Sequence, residues 1–208
     1  MVAAKSARSK SRRQTLLEAA AKVFFEQGYA ATSIDAIIER AGGSKRNIYN
    51  EFGNKEALFS AIVTESADKV LSTLVIDEIE EHDLRQTLTV FGQHLMAVYM
   101  SPALIGIYRI AVTEANRFPD LVKSFYEQGP SRATSRLAEV LEGARQRGEI
   151  RADDCLQVAD HFVGMIRGNL HLQVVLGLRS PPSEEEAREA VGSAVGVFLN
   201  GVRPGQDK

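Results

Sequence analysis

The sequence predicts an all-α protein in which a small basic head precedes a larger acidic body. Three observations carry that prediction. Apolar residues recur at helical spacing along the whole chain, capping residues stand at the ends of those runs, and charge divides sharply between the two parts. The 208 residues are 44% hydrophobic and 25% charged, the composition of an ordinary globular chain. Residues 1–60 hold ten Lys/Arg against six Asp/Glu, a net of +4, and the remainder holds fifteen against twenty-one, a net of −6. A basic head implies a polyanionic partner for the head alone; the alternative is a chance excess on solvated faces.

In the head, Leu16, Ala20, Val23, Phe24 and Gln27 share one helical face, and Gly28 follows as a C-cap. Ser33 caps a second helix whose Ile34, Ile37, Ile38 and Ala41 repeat at i, i+3, i+4, i+7 before Gly42 ends it. Ser44 caps a third helix so short that only Ile48 and Phe52 can anchor it; Gly53 stops it and Asn54 caps a fourth. The preceding stretch KSARSKSRR carries five cations and no acid, so residues 1–13 form a basic tail. It reads either as an arm for a minor groove or as a tail that adds only electrostatic attraction.

The body reads as helices throughout. Pro102 follows Ser101 at a helix start, and Pro119 restarts the chain after Asn116. Gly129-Pro130 lies inside a long amphipathic stretch, Leu121 to Ala144, where a kink is expected, and Gly148 closes that stretch. Asp153 or Asp154 opens a helix through Val158, Phe162, Val163, Ile166, Leu170 and Val174. Ser183 caps a last helix whose Glu184, Glu185 and Glu186 suit its dipole better than they suit a metal.

The charges of the stretch AGGSKRNIYNEFGNKEALF look misplaced, because Lys45, Arg46 and Lys55 each follow a helix start, where the partial positive charge disfavours cations. Two helices joined by a short Gly-containing turn, the second short and polar outside, form the helix-turn-helix pattern. Its second helix enters the major groove N-terminus first, which sets Lys45, Arg46 and Asn47 against base edges and phosphates. The missing anion is then DNA phosphate, and Lys55 beside the Asn54 cap becomes a phosphate clamp.

These residues resemble the TetR family of one-component transcriptional repressors. The likeness runs through FFEQGYAATSIDAIIERAG, SKRNIYNEF and GNKEALF, covering about residues 14–60. The resemblance implies Thr32, Lys45, Tyr49 and Lys55 as phosphate contacts and Arg46, Asn47 and Asn50 as base readers, with the capping Ser33 and Ser44 completing the DNA-binding set. Two positions depart from the pattern: Gly43 replaces a bulky aliphatic, and Glu51 replaces an aromatic or His, so that a carboxylate stands where it would repel phosphate.

The resemblance also implies a ligand-sensing and dimerising body over 61–203, with a cavity that Phe91, Met96, Tyr99, Met100, Tyr108, Phe125, Met165 and His171 could line, although each is equally explicable as core. A mostly apolar lining suggests a lipophilic or aromatic small-molecule effector. The last two helices carry broad apolar faces: Phe162, Ile166 and Leu170 on one, Val191, Val195, Phe198 and Leu199 on the other. They either pair about a two-fold axis as a homodimer on a palindromic operator or pack within one subunit.

Other classes fit less well. Cys155 is the single cysteine, so neither an intramolecular disulfide nor a cysteine metal cluster can form, and no cofactor or metal is expected. Gly42-Gly43-Ser44-Lys45 lacks the strand and upstream glycine of a phosphate loop, and His82, His94, His161 and His171 never fall at i, i+4. The apolar runs fall short of the ~20 residues of a membrane span, and the N-terminus has no apolar core, so a cytoplasmic protein is expected. A small-molecule enzyme on a helical bundle and an effector-independent DNA-binding protein remain as alternatives.

Overall fold

The computed structural model describes residues 2–42, 44–72 and 83–202, with side chains from Arg13 onward except at 69–70. Gly43 and His82, on which expectations fell, lie outside these residues. Among the described residues the fold is all-α, with no strand. Its helices are α1 (Val2–Gln27), α2 (Ile34–Ala41), α3 (Lys45–Phe52), α4 (Lys55–Leu71), α5 (Leu84–Tyr99), α6 (Pro102–Thr113), α7 (Pro119–Tyr126), α8 (Arg132–Gln146), α9 (Cys155–Val175) and α10 (Glu184–Val202), with a π-helical turn, Glu127–Ser131, between α7 and α8. They group into two compact units, Met1–Glu65 with Pro102–Gln128 and Ser66–Ser101 with Gly129–Lys208.

The first unit is built on an aromatic cluster. The Phe24, Tyr29 and Phe59 rings lie 5.6 to 5.7 Å apart, and Phe118 meets Tyr29 edge-on at 5.1 Å. Such pairs add roughly 0.5–1.5 kcal/mol each beyond the area they bury. Around them pack Ile37 of α2, Ile48 of α3, Leu58 of α4 and Ile107 of α6, all at most 2% exposed. The caps form as the sequence implies: Ser33 accepts from Ala36 N–H at 3.1 Å, Ser44 from Asn47 N–H at 3.3 Å and Asn54 from Ala57 N–H at 2.7 Å. Gly42 ends α2 at φ 71°, a left-handed conformation that side chains disfavour, and so lets the chain turn at once toward α3. The backbone of α1 is helical from Val2, so the basic tail is continuous with helix one.

The second unit packs α5, α8, α9 and α10 around Phe91, Phe162 and Phe198, whose successive ring centroids lie 6.3 and 4.9 Å apart. Gly92 permits close approach: a Cβ there would stand 2.9 Å from Val191 Cγ1 and 3.1 Å from Ile166 Cδ1. Asp154 caps α9 by accepting from Leu156 and Gln157 N–H at 2.9 and 3.1 Å, and Ser183 caps α10 by accepting from Glu186 N–H at 3.2 Å. Inside α9, Gly168 leaves helical geometry at φ 47° and ψ −163°, and the helix kinks there.

His171 is buried in this unit, and its ring lies 5.5 Å from that of Tyr99. Burial, helped by Arg167, pushes its pKa down from 6.5 to about 4. The unfolded chain therefore takes up a proton below about pH 6.5 that the folded chain refuses until about pH 4. Stability should be whole above pH 6.5 and fall by up to about 3 kcal/mol as pH drops through that window. Urea unfolding at pH 7 and pH 4.5 checks this, and His171→Leu should flatten the difference. An equal pH dependence in that variant would rule His171 out as the source.

Candidate DNA-binding surface

The α3 helix is eight residues long, too short to hold itself in water, so tertiary packing must fix it. Ile48 is 2% exposed against the aromatic cluster, and Phe52 packs beside it. Anchoring that face turns Lys45, Arg46, Asn47, Tyr49 and Asn50 outward, all exposed, with the Ser33 and Ser44 caps also on the surface. These outward groups combine cations, amides and a phenol on one helix, the donors that suit phosphate oxygens and base edges.

Several of the cations are already paired. Lys45 Nζ donates to Asp35 Oδ2 at 2.8 Å, a bond that raises the lysine pKa, and Arg40 bonds Glu26 at 2.5 Å. Arg46 has no ion pair among the described residues and is the free cation of α3. Arg13, which the sequence places in the tail, bonds Glu65 at 2.5 Å and Glu51 at 3.3 Å, and its guanidinium lies 5.4 Å from the Phe52 ring centre. A sequence signal for it existed: Arg13 precedes Leu17 by one helical turn, and Leu17 is buried on the face of α1 that packs on the core.

Two of the expected phosphate contacts make hydrogen bonds within the unit. Thr32 is 3% exposed, and its hydroxyl donates to the Gly28 carbonyl at 2.7 Å, so it braces the α1–α2 turn and does not present its hydroxyl to a ligand. Lys55 Nζ donates to the Tyr29 and Thr32 carbonyls at 2.8 and 3.0 Å and sits 4.4 Å from the Tyr29 ring centre. Burial lowers the Lys55 pKa. Its ammonium therefore ties the start of α4 to the α1–α2 turn, a long-range arrangement that no local pattern displays.

Residues expected around an effector fall in both units. Met96 and Met100 line a cleft of about 320 Å³ together with Gln93, Ala97, Ala187 and Arg188, between α5 and the start of α10. Tyr99 and His171 pack on each other, Phe91 lies in the core, and Met165 is 43% exposed. Tyr108 and Phe125 belong to the first unit, where their rings meet at 6.2 Å.

Most of the residues expected at a dimer interface are buried within the second unit. Phe162, Ile166, Val191, Val195, Phe198 and Leu199 are at most 3% exposed and form the core of the second unit, and Leu170 is half-buried. Periodicity found the apolar faces but could not tell that they close on α5 within the subunit. The outer faces carry Met165, Leu172 and Val197, 43%, 51% and 61% exposed. Beside them, Gly164, Gly192 and Gly196 have nothing within 4 Å of a Cβ position.

A basic helix-turn-helix on an all-helical chain defines the class: a DNA-binding transcriptional regulator. Family models agree at both ends. One described as "Bacterial regulatory proteins, tetR family" matches residues 16–62, and one described as "AefR-like transcriptional repressor, C-terminal domain" matches residues 86–201. The chain belongs to the TetR family of transcriptional regulators, and it is a regulator and not an enzyme. It is 28% identical over 189 residues to the uncharacterized HTH-type transcriptional regulator YvkB of Bacillus subtilis (strain 168), covering 90% of this chain and 95% of that protein. The flavonoid-responsive regulator FrrA aligns with a TM-score of 0.70 at 32% identity over 94% of this chain and 98% of that one. A TetR transcriptional regulator from Agrobacterium tumefaciens aligns with a TM-score of 0.67 at 25% identity over 93% and 95%. Among the described residues no single helix is long and apolar enough to cross a membrane.

Removing the Lys55 ammonium strips two hydrogen bonds from part-buried carbonyls. Lys55→Ala should lower stability by roughly 1–3 kcal/mol, read as a lower urea midpoint with unchanged slope. An unshifted midpoint would show that the ammonium is not a structural tie.

Proposed function

We propose that this regulator is a cytoplasmic repressor that binds a palindromic operator as a homodimer and is released by a small, mostly apolar effector. In this reading residues 14–60 read DNA and residues 61–203 sense and dimerise, with the basic residues 1–13 adding phosphate attraction. The observation that carries it is the outward face of α3, where Arg46, without an ion pair among the described residues, stands beside Asn47 and Asn50 on a helix anchored by Ile48 and Phe52. Arg46 is the base reader, able to meet a guanine edge with both guanidinium arms, and Asn47 and Asn50 suit adenine. Lys45 and Tyr49 take phosphates, Ser33 and Ser44 offer helix N-terminal N–H groups, and Thr32 and Lys55 act by holding the turn.

One eight-residue helix supplies little affinity, which favours two copies on half-sites whose centres lie about 34 Å apart. The outer faces of α9 and α10, with Met165, Leu172, Val197 and neighbouring glycines, are the surface on which a second copy packs. Support for an effector comes from the cleft at Met96 and Met100, whose flexible side chains adapt to an apolar guest while Gln93 and Arg188 offer polar contacts. The flavonoid response named for FrrA fits an aromatic guest of this kind. To weaken operator binding 100-fold, the guest must favour the released form by about 2.7 kcal/mol.

Operator selection from random DNA, followed by affinity measurement on the chosen and scrambled sequences, tests the reading. Arg46→Ala should cost about 1–3 kcal/mol per half-site on the chosen sequence, relax the preference at one base pair and leave scrambled DNA much less affected. Equal losses on both DNAs would remove Arg46 from base reading. Assembly has its own check: Leu172→Glu should sediment as a folded monomer at micromolar concentration and lose most operator affinity, because burying an unpaired carboxylate at the interface costs several kcal/mol. A variant that remains dimeric would place the interface elsewhere.

A further inference from the structure

Glu51 lies on the helix proposed to read DNA, six residues and about 9 Å of axial rise beyond Lys45. That separation is within the ~10 Å over which charges act at 0.1 M salt, so a bare carboxylate there opposes every phosphate that α3 and its neighbours approach. In this structure it is not bare. Arg13 of α1 places Nε 3.3 Å from Glu51 Oε1 and Nη1 2.5 Å from Glu65 Oε2 of α4, with its planar group 5.4 Å from the Phe52 ring centre. One guanidinium thus joins three helices of the first unit, and it uses two different nitrogens to hold two carboxylates of like charge. Arg13 is 40% exposed and Glu51 39%, so the pair is screened too strongly to matter much for folding. Its leverage is on what approaches from outside.

We propose that Arg13 is a positioning residue for DNA binding, which neutralises Glu51 and steadies the C-terminal end of α3 while leaving base and phosphate contacts to other residues. This rests on the reading that α3 faces DNA. The arrangement explains how an acid is tolerated on that helix: the compensating charge comes from α1, thirty-eight positions earlier in the chain. It also sets Arg13 apart from the cations of the tail, whose attraction to DNA needs no particular geometry.

A mutant cycle on the selected operator tests the proposal, using the full chain with Arg13→Ala, Glu51→Gln and both together, each also followed by thermal melting. Arg13→Ala should weaken binding about ten-fold by exposing Glu51 and Glu65, whereas Glu51→Gln alone should stay within about three-fold of the parent. The double variant should return to within about three-fold, with the parent's dependence on salt. Arg13→Lys, which keeps the charge, should bind nearly as the parent does, and it serves as a folded control if Arg13→Ala melts early. A double variant as weak as Arg13→Ala overturns the proposal. So does one whose salt slope is shallower by about 1 per subunit, because that marks Arg13 as a direct phosphate contact. Arg46→Ala measured on the same DNA keeps the two questions apart: unchanged affinity for both selected and scrambled DNA there would sink the α3 reading, and failed rescue would sink only the role of Arg13.

Discussion

The burial of Ile48 is the constraint on which the helix-turn-helix depends. An isolated eight-residue helix pays more in backbone entropy than its few hydrogen bonds return. The α3 helix exists because one β-branched side chain, 2% exposed, is gripped by a cluster already closed by Phe24, Tyr29 and Phe59. Everything functional about α3 follows from which residues that anchor turns away: Arg46, Asn47, Tyr49 and Asn50 point outward because Ile48 and Phe52 point inward. Lys55 and Thr32 guard the same anchor from the other side, through the carbonyls that close the turn between α1 and α2.

Charge on this unit is arranged in pairs before any ligand arrives. Lys45 with Asp35, Arg40 with Glu26, and Arg13 with Glu51 and Glu65 leave Arg46 as the cation of α3 without an ion pair among the described residues. The sequence puzzle of cations at helix starts therefore has two solutions in one molecule. At α3 the cation borrows an acid from α2, and at α4 Lys55 turns back onto backbone oxygens of the preceding turn. Net charge alone, +4 over the first sixty residues, describes neither arrangement.

Much of the fold was legible in the sequence because its signals are local. Ser33, Ser44, Asn54, Asp154 and Ser183 cap helices through bonds to residues two or three positions away, so a short window contains the whole interaction. Long-range facts were not legible. Lys55 reaches back twenty-six residues to Tyr29, and the apolar faces of α9 and α10 meet α5, some seventy to one hundred residues away, so periodicity could rank Phe162 and Val195 as buried without saying by what. Likewise the cleft at Met96 and Met100 needed the start of α10 to complete it.

Gly168 shows how little chemistry can carry a shape. Its φ of 47° with ψ −163° is closed to residues with a Cβ, so the kink in α9 is encoded by the lack of one carbon. Met165 and Leu172 would keep helical phase along a straight rod, and the kink resets that phase between them. A substitution at position 168 would thus alter the outer face of α9 while leaving Met165 and Leu172 themselves unchanged. Judged by its neighbours alone the position looks harmless to substitute, since nothing stands within 4 Å of the missing atom.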